Sequence, residues 1–283
     1  MNFLLVFIIV IAMASQGVTQ KQYNFKVLNK CTFLFNSLSM LFAAAFFFVF
    51  AGGKLHFELS LVPYCLGFAL FFGMAVLFKF LAVCEGPLSI TSLATSYSLV
   101  IPTVSGILLY NEKVNVFFYI GFALLLLSIV FINEYKKENR FSLKWLVYVF
   151  LAFVGNGFCS TVQTYQQHVF DGKYKSELMI IALVSIALVL FVMSMFYERK
   201  DVKYCTVKGL HLMAVYGISI ALVNLLVMIL STKMNVSLMF PLVSAGGLIA
   251  NSLISIFVYK EKLTKKQYVG LSFGALAVIL INI

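Results

Sequence analysis

Residues 110–133 read YNEKVNVFFYIGFALLLLSIVFIN, and residues 259–282 read YKEKLTKKQYVGLSFGALAVILIN. The two stretches are 149 positions apart and share 8 identities over 24 ungapped positions. In each copy an apolar run ends in Tyr-x-Glu-Lys, and a second apolar run follows after a few polar residues. The shared motif consists of Tyr110, Glu112, Lys113, Tyr259, Glu261 and Lys262. Similarity at about half the chain length predicts two copies of one structural unit.

The composition is that of a membrane protein. Of the 283 residues, 62% are hydrophobic and 11% are charged, and the mean hydropathy is +1.01. Soluble domains are roughly 45–50% apolar and about 25% charged. Runs such as residues 117–132 do not alternate between apolar and polar residues, as the strands of a membrane barrel would. We therefore predict an all-α membrane protein, because a helix satisfies its own backbone polar groups in lipid.

Ten segments are long and apolar enough to suggest transmembrane helices, five in each half. They cover residues 3–20, 31–51, 60–81, 87–109, 115–133, 144–167, 176–197, 208–231, 235–258 and 265–282. Residues 12–14 resemble a signal-peptidase site, but no basic residue precedes them, so we expect the first segment to be retained. Five helices per copy would make the two repeats, residues 1–138 and 139–283, inverted with respect to each other.

The net charge of +11 is spread over short loops, which indicates membrane topology and argues against nucleic-acid binding. The odd-numbered loops and the adjoining ends of the predicted helices carry 16 Lys and Arg residues, and the even-numbered loops carry 5. The positive-inside rule therefore places the odd loops in the cytoplasm and both termini outside. The bias towards Lys, Phe, Ile and Asn is typical of an AT-rich bacterial genome, so we expect a multi-pass protein of a bacterial plasma membrane.

Metal and acid–base chemistry find little support in the sequence. The five cysteines form no C-x-x-C motif, and we interpret them as packing residues. The three histidines are far apart, so no metal site and no cofactor is expected. All ten acidic residues lie near segment ends, which argues against a proton relay in mid-membrane. Glu112 and Glu261 are expected to cap or orient the helices that follow them.

Uncharged polar residues recur at helical spacing inside four apolar runs. These faces comprise Gln16, Thr19 and Gln20; Ser89, Ser92, Ser96 and Thr103; Asn156, Ser160, Gln163 and Gln167; and Ser244, Asn251 and Ser255. Such residues either hold helices together or line a wet cavity. Lys21 and Lys79 either extend to the membrane surface or favour an anionic substrate.

Prolines fall in the fourth and ninth segments. Pro87 and Pro102 belong to the fourth, and Pro241 precedes Gly246-Gly247 in the ninth. Helix breaks in corresponding segments of two inverted halves point to a binding site near the membrane midplane.

The repeat occurs together with the Gly-Pro-Leu-Ser sequence at residues 86–89 and with the Leu-Leu-Tyr-Asn-Glu-Lys sequence at 108–113, which has a similar sequence at 258–262. In these features the chain resembles the EamA-like branch of the drug/metabolite transporter superfamily. The resemblance implies two pseudo-symmetric halves, alternating access, and a central cavity lined mainly by helices one, three, four, six, eight and nine. It adds Tyr216, Ser219 and Asn224 as candidates. Unlike the related small multidrug proteins, this chain has no carboxylate in its first segment, and the predicted orientation opposes that of several relatives.

We therefore expect a secondary transporter, most simply an exporter, of a small metabolite or amphipathic compound, and no enzyme. The alternatives are a flippase of lipids or lipid intermediates and a membrane scaffold that transports nothing. The expected partners are membrane lipids and a small-molecule substrate, in a monomer or homodimer. The candidate cavity residues are Gln16, Gln20, Lys21, Lys79, Ser92, Ser96, Asn156, Ser160, Gln163, Tyr216, Asn224, Ser244 and Asn251.

Overall fold

The computed structural model describes residues 2–27, 30–85, 91, 95–132, 142–257 and 264–281, and these residues form helices and short connections without strands. Ten α-helices lie in the described ranges: α1 Asn2–Val27, α2 Thr32–Phe50, α3 Val62–Glu85, α4 Val100–Tyr110, α5 Val116–Ile132, α6 Leu143–Val169, α7 Lys175–Tyr197, α8 Val202–Ser231, α9 Val236–Phe257 and α10 Lys265–Ile281. Short 3-10 helices at Leu59–Leu61 and Tyr97–Leu99 precede α3 and α4.

Seven stretches within the described residues are long and apolar enough to cross a membrane. Five of them are α1, α2, α6, α7 and α8, and the other two are Leu59–Ala82 and Val236–Ile254. Tyr97–Tyr110 and Val116–Phe131 are shorter apolar helices. The fold is thus that of an all-α membrane protein with several spans.

Local sequence signals account for several helix ends. The Ser142 hydroxyl accepts a hydrogen bond from the backbone N–H of Trp145 at 3.1 Å and so caps the start of α6. Thr264 and Gln267 bond reciprocally through side chain and backbone at the start of α10, as in a capping box. After α4, Asn111 adopts the left-handed conformation in which asparagine often ends a helix.

The outer surface of the helix bundle is apolar. Large side chains such as Phe3, Phe48, Leu188 and Phe196 are exposed on it. A soluble protein rarely leaves so much contiguous apolar surface in water, whereas lipid tails accept it. The exposed faces are therefore the expected lipid contacts.

The helices pack across the two sequence halves. α3 packs along α6, α1 along α8, α2 along α7 and α8, and α5 along α10, while α9 contacts α1, α4 and α10. Glycines allow close approach at two of these crossings. A Cβ at Gly155 would lie 2.6 Å from the Phe71 carbonyl oxygen, and one at Gly217 would lie 2.3 Å from the Ser39 carbonyl oxygen. Any larger residue would push α6 from α3 or α8 from α2.

The structure corrects the expected role of Glu112. Its carboxylate accepts hydrogen bonds from the backbone N–H groups of Val236 at 2.6 Å and Ser237 at 2.8 Å, so it caps α9 rather than the helix that follows it. The start of α5 is capped instead by Asn115, whose side-chain oxygen accepts from the N–H of Phe118. The motif residues Tyr259, Glu261 and Lys262 lie outside the described residues.

The interpretation of all cysteines as packing residues is wrong for two of them. Cys31 and Cys205 form a disulfide between the start of α2 and the first turn of α8, across 174 residues of sequence. The sequence gives no hint of it, because nothing in the spacing places these two helix starts side by side. Cys65 and Cys159 are free and buried in the apolar core, as packing residues are. The side chain of Cys84 lies outside the described set.

Candidate functional site

A cavity of about 570 Å³ lies between α1, α2, α3, α6, α8, α9 and the segment that leads into α4. It is thus bounded by helices from both halves of the sequence. Ligand pockets of small molecules typically measure about 300–1,000 Å³, so its size suits a metabolite. Ten of the candidate residues line it: Gln16, Lys79, Ser96, Asn156, Ser160, Gln163, Tyr216, Asn224, Ser244 and Asn251.

Three candidates do not belong to this lining. Gln20 follows Gln16 by one turn of α1, but its side chain is exposed away from the cavity lining. Lys21 is half-buried on α1 and also lies outside the lining. Ser92 falls outside the described residues, as do Ser89 and Pro87 of the same predicted segment.

Two prolines lie at or next to the cavity lining. Pro102, near the start of α4, lines it directly, and the 3-10 helix Tyr97–Leu99 immediately precedes α4. Pro241 lies inside α9, where it removes one backbone donor, and its neighbour Phe240 lines the cavity. Pro102 and the neighbour of Pro241 thus lie at the cavity, although α9 continues through Pro241 without a break, and the predicted binding site remains a prediction.

The paired amides tie helices together. Gln163 in α6 donates to the backbone carbonyl and side-chain oxygens of Asn224 in α8, both at 3.2 Å. Asn156, two turns before Gln163 on the same face of α6, donates to the hydroxyl of Ser98 before α4. These residues line the cavity and also act as the cross-helix contacts that the alternative interpretation requires.

Other polar groups at the cavity surface have no such tie. Within the described part of the chain, the side chains of Gln16, Asn251, Tyr216 and Ser244 make no hydrogen bond to another residue, although all four line the cavity. Asn251 only packs against Gly17, where an added Cβ would lie 2.8 Å from its side-chain oxygen. Polar groups in this position are available to water or to a ligand.

Lys79 is the one charged residue among the described residues that line the cavity. It lies on α3, six residues before the last residue of that helix, Glu85, or about 9 Å along the axis at about 1.5 Å per residue. Its side chain is exposed, and it lines the cavity together with residues of other helices.

Sequence reasoning missed Asn36 of α2, which lines the cavity and bonds to the Thr32 carbonyl of its own helix at 2.8 Å. Its signal was weak, because Asn36, Ser37 and Ser39 are too close together to form a polar stripe along the helix. It also missed the apolar wall of α3, where Phe68, Phe72 and Ala75 precede Lys79 on one helix face. That spacing was visible in the sequence but is also typical of an ordinary core.

Acidic side chains bind backbone N–H groups at both ends of the bundle. At one end Glu112 binds the start of α9, as described above. At the other end Glu198 accepts from the N–H groups of Phe33 at 2.8 Å and Leu34 at 2.9 Å, at the start of α2. Each carboxylate thus joins a loop of one half to a helix of the other, and the positive end of the helix dipole favours it.

The loop before α3 contacts the loop before α7 through a hydrogen bond. The Tyr174 hydroxyl donates to the Glu58 carboxylate. This bond lowers the pKa of Glu58 below its ordinary value, because it stabilises the charged carboxylate. It raises the pKa of Tyr174, because it stabilises the neutral phenol that donates the hydrogen bond. The backbone N–H of His56 donates to Glu177 at 3.1 Å beside it.

Among the described side chains, no three His, Cys, Asp or Glu residues are grouped as metal ligands. His168 stacks on Tyr110 with ring centroids 4.0 Å apart, and His211 contacts Lys26 at 3.0 Å. The arrangement instead offers a cavity with one cation, several neutral polar groups and apolar walls.

Comparison with known proteins identifies a shared fold but no family. No family model matches the sequence, and no curated protein matches it. A solved structure described only as "Crystal structure of protein" superposes with a TM-score of 0.79 at 13% sequence identity, over 100% of this chain and 98% of the other. The complete arrangement of helices therefore occurs in an experimentally determined protein.

Proposed function

We propose that this chain is a secondary transporter that exports a small metabolite or amphipathic compound by alternating access through the central cavity. The observation that carries the proposal is the cavity of about 570 Å³, which is bounded by helices of both halves and includes neutral polar groups, such as Gln16 and Asn251, without a hydrogen-bond partner among the described residues. A scaffold would gain nothing from polar groups left without partners in a membrane, since each costs free energy there.

We further infer ten transmembrane helices in two inverted repeats, residues 1–138 and 139–283, of the EamA-like type. Helix packing supports this. If each helix corresponds to the one five places later, the contact of α3 with α6 corresponds to that of α8 with α1. The pairs α2–α7, α4–α9 and α5–α10 correspond to themselves, and each pair is in contact. A two-fold axis between the halves would produce this pattern.

The mode of energy coupling follows from the cavity lining. No described residue of the lining is acidic, so a carboxylate that takes up and releases protons beside the substrate has no support there. We propose a facilitator, an exchanger or an indirectly coupled antiporter. The cytoplasmic side is proposed to be that of the Lys-rich odd loops, in a bacterial plasma membrane.

The test compares metabolites in cells and medium for strains that express the wild type, Gln16→Ala or Gln20→Ala at equal membrane abundance, and for a strain that lacks the chain. Gln16 and Gln20 are one turn apart on α1, but only Gln16 lines the cavity. We expect a class of solutes to leave cells with the wild type and Gln20→Ala, and to leave several-fold more slowly with Gln16→Ala.

Two results would count against transport through this cavity. If no solute differs between the wild-type strain and the strain that lacks the chain, the scaffold hypothesis is favoured. If movement of lipids depends on the chain and movement of solutes does not, the flippase alternative is favoured.

A further inference from the structure

We propose that the substrates are amphipathic organic monoanions, in which one carboxylate or similar acid group binds the Lys79 ammonium and an apolar body fills the rest of the cavity. This proposal rests on the proposed transport function and specifies its substrate class.

The first step concerns the surroundings of Lys79. It belongs to the same α3 face as Phe72, Ala75 and Val76, which all line the cavity. It makes no hydrogen bond or ion pair with any residue in the described ranges. Two other lysines form ion pairs: Lys30 contacts Asp201 at 2.9 Å and Lys144 contacts Glu85 at 2.6 Å. Lys79 thus lies within an apolar membrane stretch and has no counter-charge among the described residues.

The second step is that the described acidic residues are engaged elsewhere. Glu85 and Asp201 bind the two lysines just named, and Glu58 binds Tyr174. The other three bind backbone N–H groups at helix starts or loops: Glu112, Glu177 and Glu198. Asp171 lies in the turn after α6 and does not line the cavity. None of the described carboxylates pairs with Lys79, so an acid group of a ligand is the partner that the described cavity leaves room for.

The third step sets the number of charges on the ligand. Lys79 is the single cationic residue among the described residues of the lining. A dianionic phosphate monoester would bring two negative charges to one ammonium group and would leave one of them unpaired in a partly apolar cavity. One acid group of charge −1 matches the site.

The fourth step concerns the remainder of the ligand. The walls carry large apolar side chains, namely Met13, Met40, Phe68, Phe72 and Phe240. Between them the amides of Gln16 and Asn251 and the hydroxyl of Tyr216 have no described partner. These groups suit an apolar body that bears one or two neutral hydrogen-bonding groups.

The experiment uses proteoliposomes that contain the full chain and are loaded with a small-molecule extract of the expression host. Released solutes are identified by mass spectrometry and grouped by their charge at neutral pH. We expect the wild type to release monoanions with apolar bodies faster than neutral or cationic solutes of similar size. Lys79→Gln should slow their release about tenfold or more, because it removes a charge-assisted hydrogen bond, and Lys79→Arg should retain release.

Lys21→Gln is the matched control, because Lys21 also lies in a helix but outside the cavity lining. It should leave the charge preference unchanged. A thermal unfolding midpoint for each variant, measured before reconstitution, separates misfolding from loss of the binding charge.

The outcomes distinguish the two proposals. If the wild type releases solutes without preference for monoanions, or if folded Lys79→Gln releases monoanions at the wild-type rate, the assignment of the substrate class is overturned and transport stands. If wild-type liposomes release nothing beyond protein-free liposomes, the proposed transport function itself fails.

Discussion

The Glu112 carboxylate reaches across the bundle to the backbone N–H of Val236 at 2.6 Å, so a loop in the first half of the chain caps a helix in the second. The second carboxylate oxygen accepts from Ser237 at 2.8 Å. Gly106 makes this approach possible, because a Cβ there would lie 2.7 Å from the Ser237 nitrogen and 2.8 Å from Glu112 itself. One acidic residue of the repeated motif therefore fixes the relative position of α4 and α9.

Replacing Glu112 by Ala should lower the free energy of unfolding by about 1–3 kcal/mol, since two N–H groups at a part-buried helix start lose their acceptor. Glu112→Gln should recover part of the loss, because it keeps one acceptor oxygen but loses the charge that the helix dipole favours. The measurement is denaturant or thermal unfolding of purified protein in detergent. Lys113→Ala, at the exposed neighbour in the same motif, serves as the control and should change stability little.

The disulfide between Cys31 and Cys205 should stabilise the purified protein by about 2–4 kcal/mol, because it joins residues 174 positions apart. Cys31→Ser, Cys205→Ser and the double variant should lose the same amount, since each removes the same bond. Alkylation under denaturing conditions should find two more thiols after reduction than before. Equal thiol counts with and without reductant would show that the bond does not form.

The location of this bond also tests the orientation. Both cysteines adjoin the Lys-rich loops that the positive-inside rule places in the cytoplasm, where disulfides are rarely kept. We expect acid-quenched alkylation of growing cells to trap both thiols, and the bond to form after extraction in air. An intact bond in growing cells, together with a cytoplasmic reporter at the C-terminus, would mean that the chain is inserted the other way round.

The sequence predicted where helices lie better than where they end. The first apolar run ends near Gln20, yet α1 continues through Lys21 to Val27. Hydropathy marks the part of a helix that suits lipid, whereas hydrogen bonding carries the helix on through its polar last turns. The extra turns position Tyr23, which packs against Phe35 with ring centroids 4.3 Å apart.

The polar helix faces of the candidate site could be predicted from the sequence, but the contacts between residues of different helices could not. Helical spacing selected Gln16, Asn156 and Gln163, and all three line the cavity. Spacing within one helix carries no information on what faces it from another helix. The bond from Asn156 to Ser98 and the disulfide depend on distances between segments far apart in sequence. The same limit explains why Glu112 was assigned to the helix that follows it and not to α9.

The contact between Tyr174 and Glu58 should make stability depend on pH. The pKa of Glu58 is lowered in the folded state, so this contact stabilises the fold above the unfolded carboxyl pKa of about 4.5 and is lost as the pH falls through the lowered value. The pKa of Tyr174 is raised, so the contact is also lost at alkaline pH, once the phenol ionises above its ordinary value of 10.0.

Unfolding midpoints of wild type and Tyr174→Phe, measured across the acidic range, test this dependence. The variant should be less stable at neutral pH, and the two curves should converge only below the ordinary carboxyl pKa of 4.5. Glu58→Gln should remove the same acidic dependence. A constant difference at all pH values would assign the effect of the variant to packing of the ring.

Two glutamines of the cavity should separate stability from transport. Gln163 is buried and donates to two oxygens of Asn224, so Gln163→Ala should lower stability by about 0.6–2 kcal/mol and slow any flux. Gln16 lines the cavity without a described partner, so Gln16→Ala should change stability by less than about 0.5 kcal/mol while it slows flux. Unfolding and proteoliposome flux, measured on the same preparations, give both quantities. If Gln16→Ala destabilised the fold as much as Gln163→Ala does, both residues would be helix contacts, and neither would mark the path of a substrate.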